Sequence, residues 1–189
     1  MPKTSTAILG VSGSGKSTLL HILSSFLTPK NGEVVYKNKN IYSLPSSELV
    51  DLRKNDFGII FQSHYLFRGF SARENLEVAS LLTDEPIDEE LAEKFGVLHV
   101  LEQPISTLSG GQQQRISIVR VLTKKPKVIF ADEPTGNLDK DSAAQVMNTI
   151  FEYIDHNDAA LLCVTHDEKL AYSCDHVFKL ERNALIKLK

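Results

Sequence analysis

Gly10-Val-Ser-Gly-Ser-Gly-Lys-Ser17 decides the fold. It fits G-x-x-x-x-G-K-[ST]: glycines let backbone N–H groups turn inward on nucleotide phosphates, the lysine reaches the β and γ oxygens, and the last hydroxyl ligates Mg²⁺. From average residue frequencies, a chance match in a chain this long is roughly one in a hundred. The context suits the mechanism. Residues 6–9 (Thr-Ala-Ile-Leu) read as a short buried strand, and Leu19, Leu20, Ile22, Leu23, Phe26 and Leu27 recur at helical spacing until Pro29 and Gly32. Gly10, Ser12, Gly13, Ser14, Gly15, Lys16, Ser17 and Thr18 are therefore candidate nucleotide-binding residues, at a helix start that favours an anion.

Outward from that loop, apolar runs alternate with amphipathic stretches. Residues 33–36 and 57–61 read as strands, with a short helix over 46–53 between them. Ser71-Ala-Arg-Glu74 is a capping-box pattern opening a helix to about Leu82, and residues 87–103 are expected to be helical in pieces. A stronger helix is predicted over 109–123, N-capped by Ser109 with Gln112 three residues on. Residues 127–131 form an apolar strand ending in Asp132-Glu133. Asp139 opens a helix with Val146, Ile150 and Ile154 inward and Met147 and Phe151 beside them. Residues 161–164 read as another strand, ending in Thr165-His166, and 177–180 with 184–188 flank a closing hairpin. This alternation predicts an α/β phosphate-loop NTPase core with a mainly parallel central sheet. Gly10, Asp132, Glu133 and His166 all fall just past strand ends, where open α/β sheets bind ligands.

The bulk composition excludes several alternatives. A net charge of −3 and scattered Lys and Arg argue against nucleic acid. Lys124-Lys125-Pro126-Lys127 is expected to be a solvated loop. The two cysteines, Cys163 and Cys174, make neither a disulfide framework nor a metal-ligand spacing, and Cys163 reads as core packing in a reducing cytoplasm. No apolar stretch approaches the roughly 18 residues of a membrane helix, and the N-terminus lacks a signal-peptide core. A membrane role therefore has to come through a partner. His21, His64, His99, His156 and His176 belong to no constellation, and Arg115 and Arg120 are expected to pack or pair rather than touch phosphate.

Two further segments carry chemistry. The acids closing the 127–131 strand suit a Mg²⁺-organising Asp132 facing the phosphate loop and a Glu133 that activates the attacking water. Ser109-Gly110-Gly111-Gln112 is locally a helix cap, yet its two glycines weaken the helix start by about 1 kcal/mol each relative to alanine. That cost makes sense where backbone must approach a ligand.

The ordered series of the phosphate loop, Gln62, Leu108-Ser-Gly-Gly-Gln112, Asp132-Glu133, Gly136-Asn-Leu-Asp139 and His166 resembles the ATP-binding cassette ATPases over nearly the whole chain. Glu133-Pro-Thr-Gly-Asn-Leu-Asp139 with Gln112-Gln-Gln-Arg115 looks like the branch serving lipoprotein-releasing and macrolide-type exporters, with the bacterial cell-division ATPase close by. The resemblance implies ATP and Mg²⁺ as cofactors, with Ser17, Gln62 and Asp132 at the metal. It makes Glu133, His166 and Gln62 catalytic. Ser109, Gly110 and Gly111 would contact the γ-phosphate bound to the other subunit, with Gln112 in the same motif and Asp139 at the homodimer interface, so that two copies sandwich two ATPs. It further implies one domain over residues 1–189, a helical subdomain at about 67–107, and an integral membrane permease as partner. The chain itself has no direct membrane span and is expected on the cytoplasmic face of the cell membrane. Family members carry strands and an adenine-stacking aromatic ahead of the phosphate loop; here nine residues precede Gly10, so a reduced antiparallel β-subdomain and weaker ATP affinity are expected. Three functions fit: the engine of an export or lipoprotein-release transporter, a regulatory ATPase of a cell-wall complex, or a weakly active nucleotide-binding subunit.

Overall fold

Side chains of a strand point alternately to the two faces of its sheet, and in this chain both faces are apolar. Ala7, Leu9, Ile129, Ala131, Leu161 and Cys163 face one core, while Ile8, Phe130 and Val164 face a second. A sheet that is greasy on both sides must be covered on both sides, and helices supply the cover. The computed structural model describes residues 2–189.

In chain order the elements are β1 (Thr4–Leu9), α1 (Lys16–Leu23), β2 (Val35–Tyr36), β3 (Lys39–Asn40), α2 (Ser46–Asn55), β4 (Phe57–Ile60), α3 (Ala72–Thr83), α4 (Glu89–Lys94), α5 (Gly110–Thr123), β5 (Val128–Asp132), α6 (Lys140–His156), β6 (Ala160–Thr165), α7 (Glu168–Ser173), β7 (His176–Glu181) and β8 (Ala184–Lys187). Six strands form the main sheet in the order β4-β5-β6-β1-β7-β8. All of its pairings are parallel except β7 with β8. Leu20 of α1, Leu52 of α2 and Ile41 pack against the second face. Buried residues of α5, α6 and α7 join those of α3 and α4 in the larger core on the first. The short β2–β3 hairpin is a separate antiparallel pair. It leans on the core through Tyr36, whose ring meets Phe57 edge-on at 5.1 Å.

Turn chemistry explains both hairpins. Lys37 and Asn38 link β2 to β3 and both have positive φ (48° and 62°); Arg182 and Asn183 do the same between β7 and β8 (49° and 62°). Two consecutive positive-φ residues match the right-handed twist of paired strands. Helix starts are equally well specified. Ser71 and Ser109 each form a complete capping box, and Asp139 caps α6 by accepting from the N–H groups of Asp141 and Ser142.

Several expectations need correction. The first helix stops at Leu23 rather than running to Leu27, because Ser25 turns left-handed (φ 64°) and Phe26 and Leu27 both donate to the His21 carbonyl. The Tyr42 hydroxyl then closes this end, its one proton shared between the carbonyls of Ile22 and Leu27. The strand expected over 33–36 shrinks to Val35–Tyr36. Lys124 is not a solvated loop residue: it is half-buried and donates to the carbonyls of Arg53 and Phe57, and burial lowers its pKa. Cys163 is in the core as expected, but its sulfur lies 3.9 Å from that of Cys174, also buried and free. Sequence separation hid this pair, since α7 folds back over β6 between them.

Candidate active site

The site begins where β1 ends. Gly13 and Gly15 hold positive φ (78° and 95°), a region costly for any residue with a Cβ. A Cβ on Gly10 would stand 2.7 Å from Ser14 Oγ. The chain can therefore curl tightly only with glycine at these positions. It enters α1 through Gly15, which provides no side-chain cap, leaving the first N–H groups of the helix for a ligand. Ser14 Oγ is buried and lacks a hydrogen-bond partner, a vacancy that suits a phosphate oxygen. Lys16 is buried with its ammonium donating to the carbonyls of Gly10 (2.7 Å) and Val11 (3.1 Å). It lies along the loop it would share with phosphate.

β5 delivers the carboxylates. Parallel pairing sets Asp132 opposite Val164 of β6, so Glu133 emerges beside Thr165 and His166. Ser17 Oγ donates to Asp132 Oδ1 at 3.1 Å, joining phosphate loop and carboxylate directly. Glu133 sits at φ 46°, left-handed for a non-glycine residue. Its carboxylate is fixed at both oxygens: Thr165 Oγ1 donates to Oε2 (3.0 Å), and Oε1 accepts from the His166 N–H (3.1 Å) and meets His166 Nδ1 at 2.8 Å. A carboxylate only accepts, so a neutral imidazole carries its proton on Nδ1, and Nε2 is its remaining acceptor. Val11, Ser12, Gly13, Gly15, Lys16, Ser17, Thr18, Gln62, Glu133 and His166 line one open cleft of about 560 Å³. Such a volume takes a nucleotide triphosphate moiety.

Divalent-cation chemistry fits this cleft. The hydroxyl of Ser17, the carboxylate of Asp132 and the amide of Gln62 are hard oxygen donors. A cation that keeps several of its waters needs only one or two of them.

The second group of expected residues lies apart. Ser109, Gly110, Gly111, Gln112 and Asp139 do not line the cleft. Ser109 Oγ accepts from the Gln112 N–H (3.2 Å) and Gln112 Oε1 accepts from the Ser109 N–H (2.9 Å), so the helix start is exposed and pre-ordered. Hydrogen bonds from Ser142 and Asp141 hold the Asp139 carboxyl below its usual pKa, which keeps this exposed group ionised. Leu138 Cδ2 lies 3.0 Å from where a Cβ on Gly111 would be, so that glycine admits the 136–139 loop against the start of α5.

Three sets of contacts escape a reading of residue types. Thr165 orients Glu133. Ser117 and Arg120 on α5 donate to the carbonyls of His64 and Tyr65, fastening the loop that carries Gln62. His64 Nε2 meets Asn137 Nδ2 at 3.2 Å. Each is a side chain whose partner is distant in sequence, and only strand register or helix docking makes it visible.

Comparison with known proteins agrees with this geometry. The ABC transporter family model matches residues 1–136. The lipoprotein-releasing system ATP-binding protein LolD of Shewanella frigidimarina is 40% identical over 185 residues, covering 95% of this chain and 77% of that protein. The macrolide export ATP-binding/permease protein MacB of Wolinella succinogenes is 39% identical over 186 residues, with 95% of this chain but only 29% of that longer protein covered. Among solved structures, the dimeric ATP-binding cassette MJ0796 bound to ADP and Pi superposes with a TM-score of 0.90 at 28% identity, covering 100% of this chain and 87% of that one. The chain belongs to the ABC transporter family, and it is an ATP-binding, ATP-hydrolysing subunit of that kind.

Proposed function

We propose that this subunit powers export or lipoprotein release at a membrane, working as a homodimer that sandwiches two ATPs against an integral membrane partner. The observation that carries the reading is a division of labour within the chain. One cleft gathers most of the phosphate loop with Gln62, Glu133 and His166, Asp132 lies behind it bonded to Ser17, and the pre-ordered Ser109-Gly110-Gly111 helix start is not among the residues that line it. A second copy is the natural source of the missing half-site. The names of the LolD, MacB and MJ0796 proteins, the last of them described as dimeric, support this reading.

In this scheme Lys16 leaves the Gly10 and Val11 carbonyls for the β and γ oxygens, and the N–H groups of residues 12–18 close around the phosphates. Ser17, Asp132 and Gln62 would hold Mg²⁺, which would supply neutralisation of charge on the phosphate oxygens. Glu133 takes the proton of the attacking water, and His166, with Nε2 as its remaining acceptor, positions that water and the γ-phosphate. The N–H groups and hydroxyl of the partner's Ser109 loop stabilise charge on the transferred group, and Asp139 lies at the interface between the two copies. Residues 67–107 form the helical subdomain. Exposed Tyr65, Phe67 and Phe70, next to Gln62 in the chain, offer an apolar contact to the membrane partner. No helix among the described residues is long and apolar enough to cross a membrane, so attachment to the cytoplasmic face runs through that partner.

The test is Glu133→Gln. Turnover falls by about a hundredfold or more, the usual worth of a positioned base, while ATP binding persists and the protein doubles in mass by light scattering. Undiminished turnover defeats the assignment. A variant that binds ATP as a monomer defeats the two-copy site.

A further inference from the structure

We infer that His64 and Asn137 are a pair of positioning residues that tie the loop carrying Gln62 to the loop carrying Asp139, so that closure of the two-copy site is transmitted to Gln62. The inference rests on the two-copy reading above. It starts from a contact between side chains 73 positions apart, Asn137 Nδ2 to His64 Nε2 at 3.2 Å. An asparagine NH₂ only donates, so Nε2 accepts and the imidazole proton sits on Nδ1. His64 is two residues past Gln62, and Asn137 is two residues before Asp139.

Both loops are held against the same helix from other directions. Ser117 Oγ donates to the His64 carbonyl at 3.2 Å, and the Arg120 guanidinium donates to the carbonyls of His64 (3.1 Å) and Tyr65 (2.9 Å). Residue 138, directly after Asn137, packs at the bare Cα of Gly111 in the first turn of α5. The two loops and α5 therefore form a closed triangle, and the His64–Asn137 bond is its side between the loops. The contact is exposed, and hydrogen bonds between exposed side chains add little to folding. Its value is geometric. When a second copy engages Asp139, the 136–139 loop can shift only by dragging His64 or by breaking this bond.

The test compares His64→Ala, Asn137→Ala, the double variant and His64→Gln, whose amide oxygen can still accept from Asn137. Each alanine variant lowers kcat for ATP about threefold to tenfold with KM within twofold, a loss appropriate to one positioning hydrogen bond. The double variant is no worse than the poorer single, because both remove the same link. His64→Gln recovers at least half of the turnover. Amide exchange reads the link without activity: His64→Ala speeds exchange at residues 136–139, and Asn137→Ala speeds it at 62–66. Multiplicative losses in the double variant overturn the inference. So do wild-type turnover in both singles, or a His64→Gln variant no better than alanine. The Glu133→Gln control separates the two readings. If it leaves turnover intact, the hydrolytic site itself is misassigned; if it abolishes turnover while His64→Ala and Asn137→Ala behave as wild type, only the link fails.

Discussion

Glu133, the proposed general base, is held firmly in place. Three donors converge on its two oxygens, and its backbone is left-handed, a conformation that persists only where surrounding structure imposes it. The Glu133 N–H donates to the Val164 carbonyl, and its own carbonyl accepts from Gly136. Strand and turn together impose the geometry. Thr165→Val keeps the shape of the side chain and deletes one of those donors. It is expected to lower kcat about tenfold with KM unchanged, since a hydrogen bond to a charged group is worth about 1.5 kcal/mol and about 1.4 kcal/mol is a factor of ten. Steady-state turnover against ATP concentration checks this, and an effect on KM alone would reassign Thr165 to substrate binding. Glu133 and His166 were legible in the sequence because each follows an apolar run that can only be a buried strand. Thr165 was not, because its role depends on the register of β5 against β6, which residue types do not encode.

Among the elements, β4 and α5 approach closely. Gly58 lies in β4, and a Cβ there would be 2.7 Å from Val121 Cγ1 and 2.9 Å from Pro126 Cγ. Neither neighbour yields cheaply, one being β-branched and the other a ring. Gly58→Ala is therefore expected to cost about 1–3 kcal/mol by overpacking, lowering Tm by about 2–4 °C for each kcal/mol in a chain this size. Thermal unfolding followed by circular dichroism measures it; an unchanged or raised Tm would mean that α5 is free to slide on the sheet. The same contact fixes the distance between Gln62, just beyond β4, and the α5 side chains that hold its loop. Element boundaries were legible where capping chemistry is local, as at Ser71, Ser109 and Asp139. They were missed where a distant group decides. The end of α1 is set by Tyr42 and by Arg53, which binds the Ser25 carbonyl and hydroxyl. Helix α7 spans only Glu168–Ser173, too few residues to show a period.

For the whole molecule, the parallel sheet explains where the expected site residues fall. Strand ends β1, β5 and β6 place the phosphate loop, Asp132, Glu133 and His166 along one edge, whereas α5 starts from the segment packed over the opposite core. In the proposed two-copy scheme one chain offers two half-sites, and filling one of them needs a neighbour. This has a thermodynamic signature distinct from ordinary ligand binding. A ligand bound within one chain raises stability by about 2.7 kcal/mol at a hundred times its Kd, whatever the protein concentration. A ligand shared by two chains adds a concentration term: each tenfold rise in protein contributes about 1.4 kcal/mol per dimer, or half of that per chain. In the Glu133→Gln variant, where ATP is not consumed, Tm with ATP should therefore climb about 1–3 °C per tenfold increase in protein, while Tm without ATP stays flat. Replacing Ser109, which caps α5 and faces the partner's γ-phosphate in this scheme, with alanine should lower Tm modestly without ATP through the lost cap, about 1 kcal/mol. It should also abolish the concentration dependence with ATP. Equal slopes with and without nucleotide would place the whole ATP site within one chain and remove the need for the second.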